Sequence, residues 1–187
     1  MFFQIVTLYD TSPSVVLADL DGFQRWITQQ YRAIPLHVAF VERNPYRTVS
    51  QMMCEIRSSG ILYISALHNV SIFDPVVNLR FRAVHDVDHL RHGFRFDLHG
   101  EQQACRVFVE RCRDVHGRNA LFCEILGQAC VALAKGAFPK QKLVRFPRKL
   151  RERALREDLH TAPPVALLPN RESKSCSVTP LGVRRAA

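Results

Sequence analysis

Three histidines and two carboxylates occupy one short stretch of this 187-residue chain. His85, His89 and His92 are spaced four and three residues apart, with Asp86 and Asp88 between them. On an α-helix of 3.6 residues per turn, the first two histidines lie within about 40° of each other. Two imidazoles at this spacing can reach one metal ion at about 2.0–2.1 Å, as in H-E-x-x-H helices. The stretch therefore predicts a metal-binding helix, with His92 and Asp88 as reserve ligands.

A metal site needs at least one further ligand, and Glu101 is the best placed candidate. The segment 94–100 is short enough to turn between antiparallel helices, which would place Glu101 opposite His85 and His89. Asp86 lies about 100° around the helix from His85, so it is either a fourth ligand or a partner that orients an imidazole. An aspartate at this position also argues against a zinc peptidase, which needs a glutamate base there.

The chain around this stretch predicts the elements that position it. Asp74-Pro75 begins a helix that Gly93 ends, a second helix runs from Leu98 to about Gly117, and a third runs from Arg118 to Gly136. Apolar residues lie on both sides of the first of these helices, so we expect it to be sandwiched between the N-terminal unit and the later helices.

The N-terminal part predicts a strand, a helix and a second strand. Residues 35–41 and 60–65 have strand composition, and a helical pattern beginning at Asn44-Pro45 and ending at Ser59 lies between them. The predicted fold is α+β and predominantly helical, with this unit packed on a three-helix metal-binding core of about residues 71–138. Residues 1–138 form one domain, and residues 139–187 form a basic, partly disordered tail.

The positive charge is concentrated at the C-terminal end. Residues 1–134 carry 13 Lys and Arg against 13 Asp and Glu, whereas residues 135–187 carry 13 against 4, so the last 53 residues hold the whole net charge of +9. A basic stretch with interleaved phenylalanines suits nucleic-acid phosphates or an anionic membrane surface. The candidate anion-binding residues are Lys140, Lys142, Arg145, Arg148, Lys149 and Arg151.

Composition excludes several classes of protein. With 47% hydrophobic residues, the chain can build a core, so it is not disordered as a whole. It has no long apolar run and no signal-peptide pattern, and its six cysteines form no C-x-x-C pair. We therefore expect a cytoplasmic protein without disulfides or a zinc ribbon, in peripheral contact with a membrane if the tail binds one.

The sequence His85-Asp86-x-x-His89, eleven residues and then Glu101 resembles the metal motif of the ubiquinone biosynthesis family of the fourth Coq protein. The segment Arg80 to Val84 is similar to the residues that precede the motif in that family. The resemblance covers about residues 74–135. It implies His85, Asp86, His89 and Glu101 as metal ligands, and decarboxylation and hydroxylation at one ring carbon of a quinone precursor. It also implies a groove for an isoprenoid tail.

The leading hypothesis is therefore a metal-dependent enzyme with a small-molecule substrate, aromatic or isoprenoid. Zn²⁺ is the first choice of ion, and Mg²⁺, Mn²⁺ and iron are alternatives. An HD-type phosphohydrolase using His68, His85, Asp86 and Asp114 is a second enzymatic hypothesis. The non-enzymatic alternative is a nucleic-acid-binding or partner-binding accessory protein of a phage or plasmid. Its histidines would belong to a metal-free polar cluster held by Arg82 and Arg91.

Overall fold

The chain has a predominantly helical α+β fold. A computed structural model describes residues 1–69 and 72–159. The helices are α1 (Phe2–Thr11), α2 (Leu20–Arg32), α3 (Val49–Ser59), α4 (Pro75–His92), α5 (Leu98–Arg111), α6 (Val115–Phe122), α7 (Gln128–Lys135) and α8 (Arg148–Ala154), and the strands are β1 (His37–Val41) and β2 (Ile61–Ser65). A π-helical turn, Cys123–Gly127, joins α6 to α7.

The N-terminal unit is the predicted strand, helix and strand. Strands β1 and β2 pair in parallel, with His37 opposite Ile61 and Val41 opposite Ser65, and α3 makes the crossover between them. The predicted start of α3 at Asn44-Pro45 is wrong by about a turn. The helix begins after Thr48, whose hydroxyl accepts the Gln51 N–H at 3.1 Å and so caps the first turn.

Helix α4 lies between two hydrophobic clusters, as expected. Ala83 and Val87 pack with Met52, Leu62 and the rest of the N-terminal unit. On its other side, α4 packs against the main helical core through buried residues that include Val77, Phe81 and Val84. Its ends match the prediction, because the Asp74 carboxylate caps the first turn and Gly93, at φ 68°, ends the helix in the left-handed conformation.

The predicted second and third helices divide differently in the structure. Helix α5 ends at Arg111 rather than near Gly117, and the Asp114 carboxylate caps a separate helix, α6, by accepting the Gly117 N–H. A backbone break at residues 112–114 therefore replaces the last turn predicted for α5. Of the six cysteines, Cys105, Cys112, Cys123 and Cys130 are buried free thiols within this helical body.

The first part of the predicted basic tail packs on the helical body. Leu143, Val144, Phe146 and Leu150 are buried in the main core, and the Val15 N–H donates to the Leu143 carbonyl at 2.8 Å. The domain boundary at 138 stays a prediction, and the predicted disorder beyond residue 160 lies outside the described residues. In the described part of the chain, no helix is long and apolar enough to cross a bilayer.

Candidate metal site

The side chains of His85, His89 and Glu101 converge between α4 and α5. The Nε2 atoms of the two histidines are 3.2 Å apart. The Glu101 carboxylate places Oε2 3.0 Å from His85 Nε2 and Oε1 3.5 Å from His89 Nε2. The three predicted side chains therefore form one group of candidate ligands, and the described residues contain no other such group of three.

These distances suit a single ion. Four-coordinate Zn²⁺ with ligand bonds of about 2.0–2.1 Å keeps neighbouring ligand atoms about 3.3–3.4 Å apart at tetrahedral angles. The two Nε2 atoms are 3.2 Å apart, and they lie 3.0 and 3.5 Å from the two different oxygens of the Glu101 carboxylate, which is close to that value. The residues present thus fit a divalent cation bound through two imidazole nitrogens and the Glu101 carboxylate.

A backbone carbonyl sets the tautomer of His89. Its Nδ1 lies 3.0 Å from the Phe94 carbonyl oxygen, which can only accept, so Nδ1 carries the proton and donates it. In neutral His89 the Nε2 lone pair therefore points toward His85 and Glu101. Metal-binding histidines commonly use this arrangement, in which the second nitrogen is held by a carbonyl or carboxylate.

When both histidines are neutral, the site lacks enough protons to satisfy its own acceptors. The His89 lone pair and both Glu101 oxygens accept, and a neutral His85 has at most one Nε2 proton to give them. His89 is fully buried and the side chains of His85 and Glu101 are each 16% exposed, so water can satisfy few of these groups. A shared cation would satisfy the Nε2 atoms of both histidines and the Glu101 carboxylate at once.

The pKa values of Glu101 and His89 are both shifted by the other charged groups of the site. Burial acts to raise the pKa of Glu101, but the charges and hydrogen bonds of His85 and His89 outweigh it and hold that pKa well below its usual range. Burial acts to lower the pKa of His89, but Glu101 outweighs it and raises that pKa. Glu101 is thus ionised, which is the state that binds a metal.

The backbone before Glu101 makes a turn that only glycine allows. A Cβ atom at Gly100 would overlap the carbonyl oxygen of Arg95, so a side chain there would force the backbone apart. The Gly100 N–H is also held, at 2.9 Å, by the Asp97 carboxylate that caps α5. Together these contacts place Glu101 in the first turn of α5, opposite His85 and His89.

Aromatic rings and one ion pair surround the site. The Phe81 ring stacks on His85 with centroids 6.3 Å apart, and the Phe96 ring lies 5.0 Å from His89. The Asp88 carboxylate is 1% exposed and accepts two hydrogen bonds of 2.6 Å from Arg111, which ties α4 to α5. Asp88, a predicted reserve ligand, therefore has a different partner.

Asp86 lies beside the group but outside it. Successive helical residues point about 100° apart, and the converging ligand atoms come from His85, His89 and Glu101 only. Asp86 is half-buried, and burial, opposed by the charges of the two histidines, raises its pKa to about 6. A ligand role for Asp86 stays a prediction.

Three further candidate residues of the enzymatic and metal-free alternatives make contacts outside the group. Arg82 does not hold the histidines, because its guanidinium donates to the carbonyls of Ser65, Leu67 and His68. Asp114, assigned to the phosphohydrolase hypothesis, caps α6. His92 is exposed and stacks on Phe94 with centroids 5.0 Å apart.

Of the six predicted anion-binding residues, Lys142 is tied to the fold, because its ammonium donates to the carbonyls of Asp10 and Ser12 at 3.2 and 2.8 Å, and Arg151 is half-buried. Arg148 is exposed and pairs with Glu152, one turn along α8, at 2.7 Å. Lys140, Arg145 and Lys149 are exposed.

Comparisons with known protein families, with curated proteins and with solved structures found no match for this chain.

Proposed function

We propose that the protein is a divalent-metal enzyme whose site is formed by His85, His89 and Glu101. The observation that carries the proposal is the convergence of two imidazole nitrogens and one ionised carboxylate within 3.5 Å of each other. Structural zinc sites usually have four protein ligands, whereas three ligands leave a position for water or substrate. An ion bound there would polarise a substrate oxygen or lower the pKa of a bound water.

The ligand types favour Zn²⁺ or Fe²⁺ over Mg²⁺. Mg²⁺ prefers carboxylate, carbonyl and water oxygens in an octahedron, whereas imidazole suits zinc and iron. A set of two histidines and one carboxylate occurs both in zinc hydrolases and in iron oxygenases. Zn²⁺ remains our first choice, with Fe²⁺ as the alternative.

The resemblance to the ubiquinone biosynthesis family extends the proposal to a reaction on an aromatic ring carboxylic acid. Loss of the carboxyl group with hydroxylation at the same carbon converts the acid and dioxygen, with two electrons and two protons, into a phenol, carbon dioxide and water. Dioxygen and a two-electron donor must therefore be supplied.

Cobalt substitution tests the metal proposal directly. Four-coordinate Co²⁺ absorbs visible light far more strongly than hexa-aqua Co²⁺, so titration of the apoprotein should produce visible bands that saturate at one ion per chain. Glu101→Gln should lose these bands, and His92→Ala, at an exposed histidine outside the group, should keep them. The absence of bands in the wild type, or bands that Zn²⁺ does not displace, would refute the proposal.

The second candidate function is binding of an anionic polymer through the exposed side chains of Lys140, Arg145 and Lys149. Such binding depends on counterion release, so its affinity for DNA or RNA should fall steeply between about 50 and 200 mM salt. Reversing the three charges with glutamate should abolish it. Salt-independent binding, or binding that survives the triple substitution, would rule out this function.

A further inference from the structure

Strand β1 has an outer edge that no described residue pairs with. The Val41 carbonyl accepts the Ala66 N–H at 2.8 Å, so Val41 directs its backbone groups toward β2. Successive residues of a strand direct their backbone N–H and C=O groups to alternate edges. Ala39 therefore directs these groups toward β2, as Val41 does, and Val38 and Phe40 direct theirs to the opposite edge. Within residues 1–69 and 72–159, those groups have no protein hydrogen-bond partner.

The outer edge of β2 is, in contrast, covered by side chains. The Tyr63 N–H donates to the Tyr46 hydroxyl at 2.8 Å, the Ser59 hydroxyl donates to the Ile61 carbonyl at 3.4 Å, and Arg82 donates to the Ser65 carbonyl at 2.9 Å. The fold therefore closes one edge of the small sheet and leaves the other open.

Strand β1 also lacks the features that protect exposed edges. Natural edge strands usually carry lysine, proline or inward-pointing charges, and the sequence His37 to Val41 has none of these. Phe40 is 41% exposed. Parallel sheets normally have more strands and are covered on both faces, so a parallel sheet of only two strands is rare.

We propose that β1 pairs antiparallel with β1 of a second copy of this chain, about a two-fold axis at Ala39. In this register Val38 lies opposite Phe40 of the second copy, and both residues direct their backbone groups to the shared edge. Each such pair exchanges two hydrogen bonds, which gives four in all and a four-stranded mixed sheet. A two-fold axis requires a self-complementary surface, and this strand meets that requirement.

The side chains suit this register. Val38 and Phe40 lie on the same face, so each copy contributes one branched and one aromatic side chain to two cross-strand contacts, a stabilising combination. On the other face, Ala39 lies opposite Ala39 of the second copy. The proposal does not depend on the metal site.

The charges near the strand favour the antiparallel arrangement. Glu42 and Arg43 follow β1 directly. An antiparallel pair keeps these residues of the two copies at opposite ends of the sheet, whereas a parallel pair would place like charges side by side. Pairing two strands of five residues buries less than about 1,200 Å², the lower limit for a standard stable interface, so the dimer should be reversible.

Sedimentation velocity from about 5 to 500 µM full-length protein tests the proposal. We expect wild type to convert from monomer to dimer, and Phe40→Lys to weaken association by about tenfold or more by placing a charge on the edge. Phe3→Lys is the matched control, because Phe3 is 75% exposed on α1 and outside the strand. A monomeric wild type, or loss of the dimer in the control, would overturn the proposal.

Hydrogen exchange in the wild type provides a measurement that does not depend on any variant folding. The Val38 and Phe40 amides should become protected as the protein concentration rises. Protection that is already complete at low concentration would mean that another part of the same chain covers the edge. Exposure at all concentrations would mean that nothing pairs with it, and either result would contradict the proposed dimer.

Discussion

Glu124 provides a test of the energetic cost of burying a carboxyl group in the π-helical turn. Its side chain lies in the core with the residue 8% exposed, and its Oε1 atom has no hydrogen-bond partner in the described part of the chain. Burial raises the pKa of this carboxyl from 4.5 to about 7, although Gln128 and the charge of Arg82 oppose the change. The folded state therefore holds this proton more tightly than the unfolded state does.

The sign and size of the effect follow from that difference in pKa. Because the folded-state pKa is raised, Glu124 favours the folded state most below pH 4.5, and this contribution is lost as pH rises through about 7. A difference of about 2.5 pKa units corresponds to about 3 kcal/mol at most. Glutamine has the same shape without the charge, so Glu124→Gln should remove this loss.

Urea unfolding at pH 5 and pH 8 measures the prediction. The free energy of unfolding of Glu124→Gln should exceed that of wild type by about 2–3 kcal/mol more at pH 8 than at pH 5. Glu110→Gln, at an exposed residue of α5, is the control and should show no such gain. Equal differences between Glu124→Gln and wild type at the two pH values would refute the argument that burial controls this carboxyl.

Two further substitutions test the contacts that position the site. Asp88→Ala leaves the partly buried Arg111 without its partner, so the free energy of unfolding should fall by about 3–5 kcal/mol. Much of that loss should be recovered when Arg111 is also replaced by methionine. If the double variant recovers no stability, loss of the ion pair is not the cause. Gly100→Ala would force the backbone away from the Arg95 carbonyl, so the affinity for Co²⁺ should fall by about tenfold or more through displacement of Glu101. Unchanged Co²⁺ affinity in a folded Gly100→Ala protein would show that this turn does not position the ligand.

Much of the candidate site could be predicted because its signals are local. The Asp74-Pro75 and Gly93 boundaries of α4 are short-range capping signals, and the structure reproduces both. The spacing of His85 and His89 follows from helical geometry alone. The approach of Glu101 was predictable because segment 94–100 is too short for anything but a turn.

Other features depend on contacts between distant parts of the chain, which no local pattern reveals. The Asp88–Arg111 pair joins residues 23 positions apart, and the Phe94 carbonyl that holds His89 is a backbone group. The end of α5 at Arg111 was missed because the helical pattern continues past it, although Asp114 three residues before Gly117 is a readable capping signal. Packing of residues 143–150 on the core was hidden by their basic neighbours.

The most direct test of the central claim is elemental analysis of protein loaded with Zn²⁺ and then dialysed, with parallel samples loaded with Fe²⁺ without oxygen. The account predicts about one ion per chain in wild type and in His92→Ala, and less than about a tenth of that in His89→Ala and Glu101→Gln. A wild type without bound metal, or ligand variants that retain a full equivalent, would contradict the claim that His85, His89 and Glu101 form a metal site.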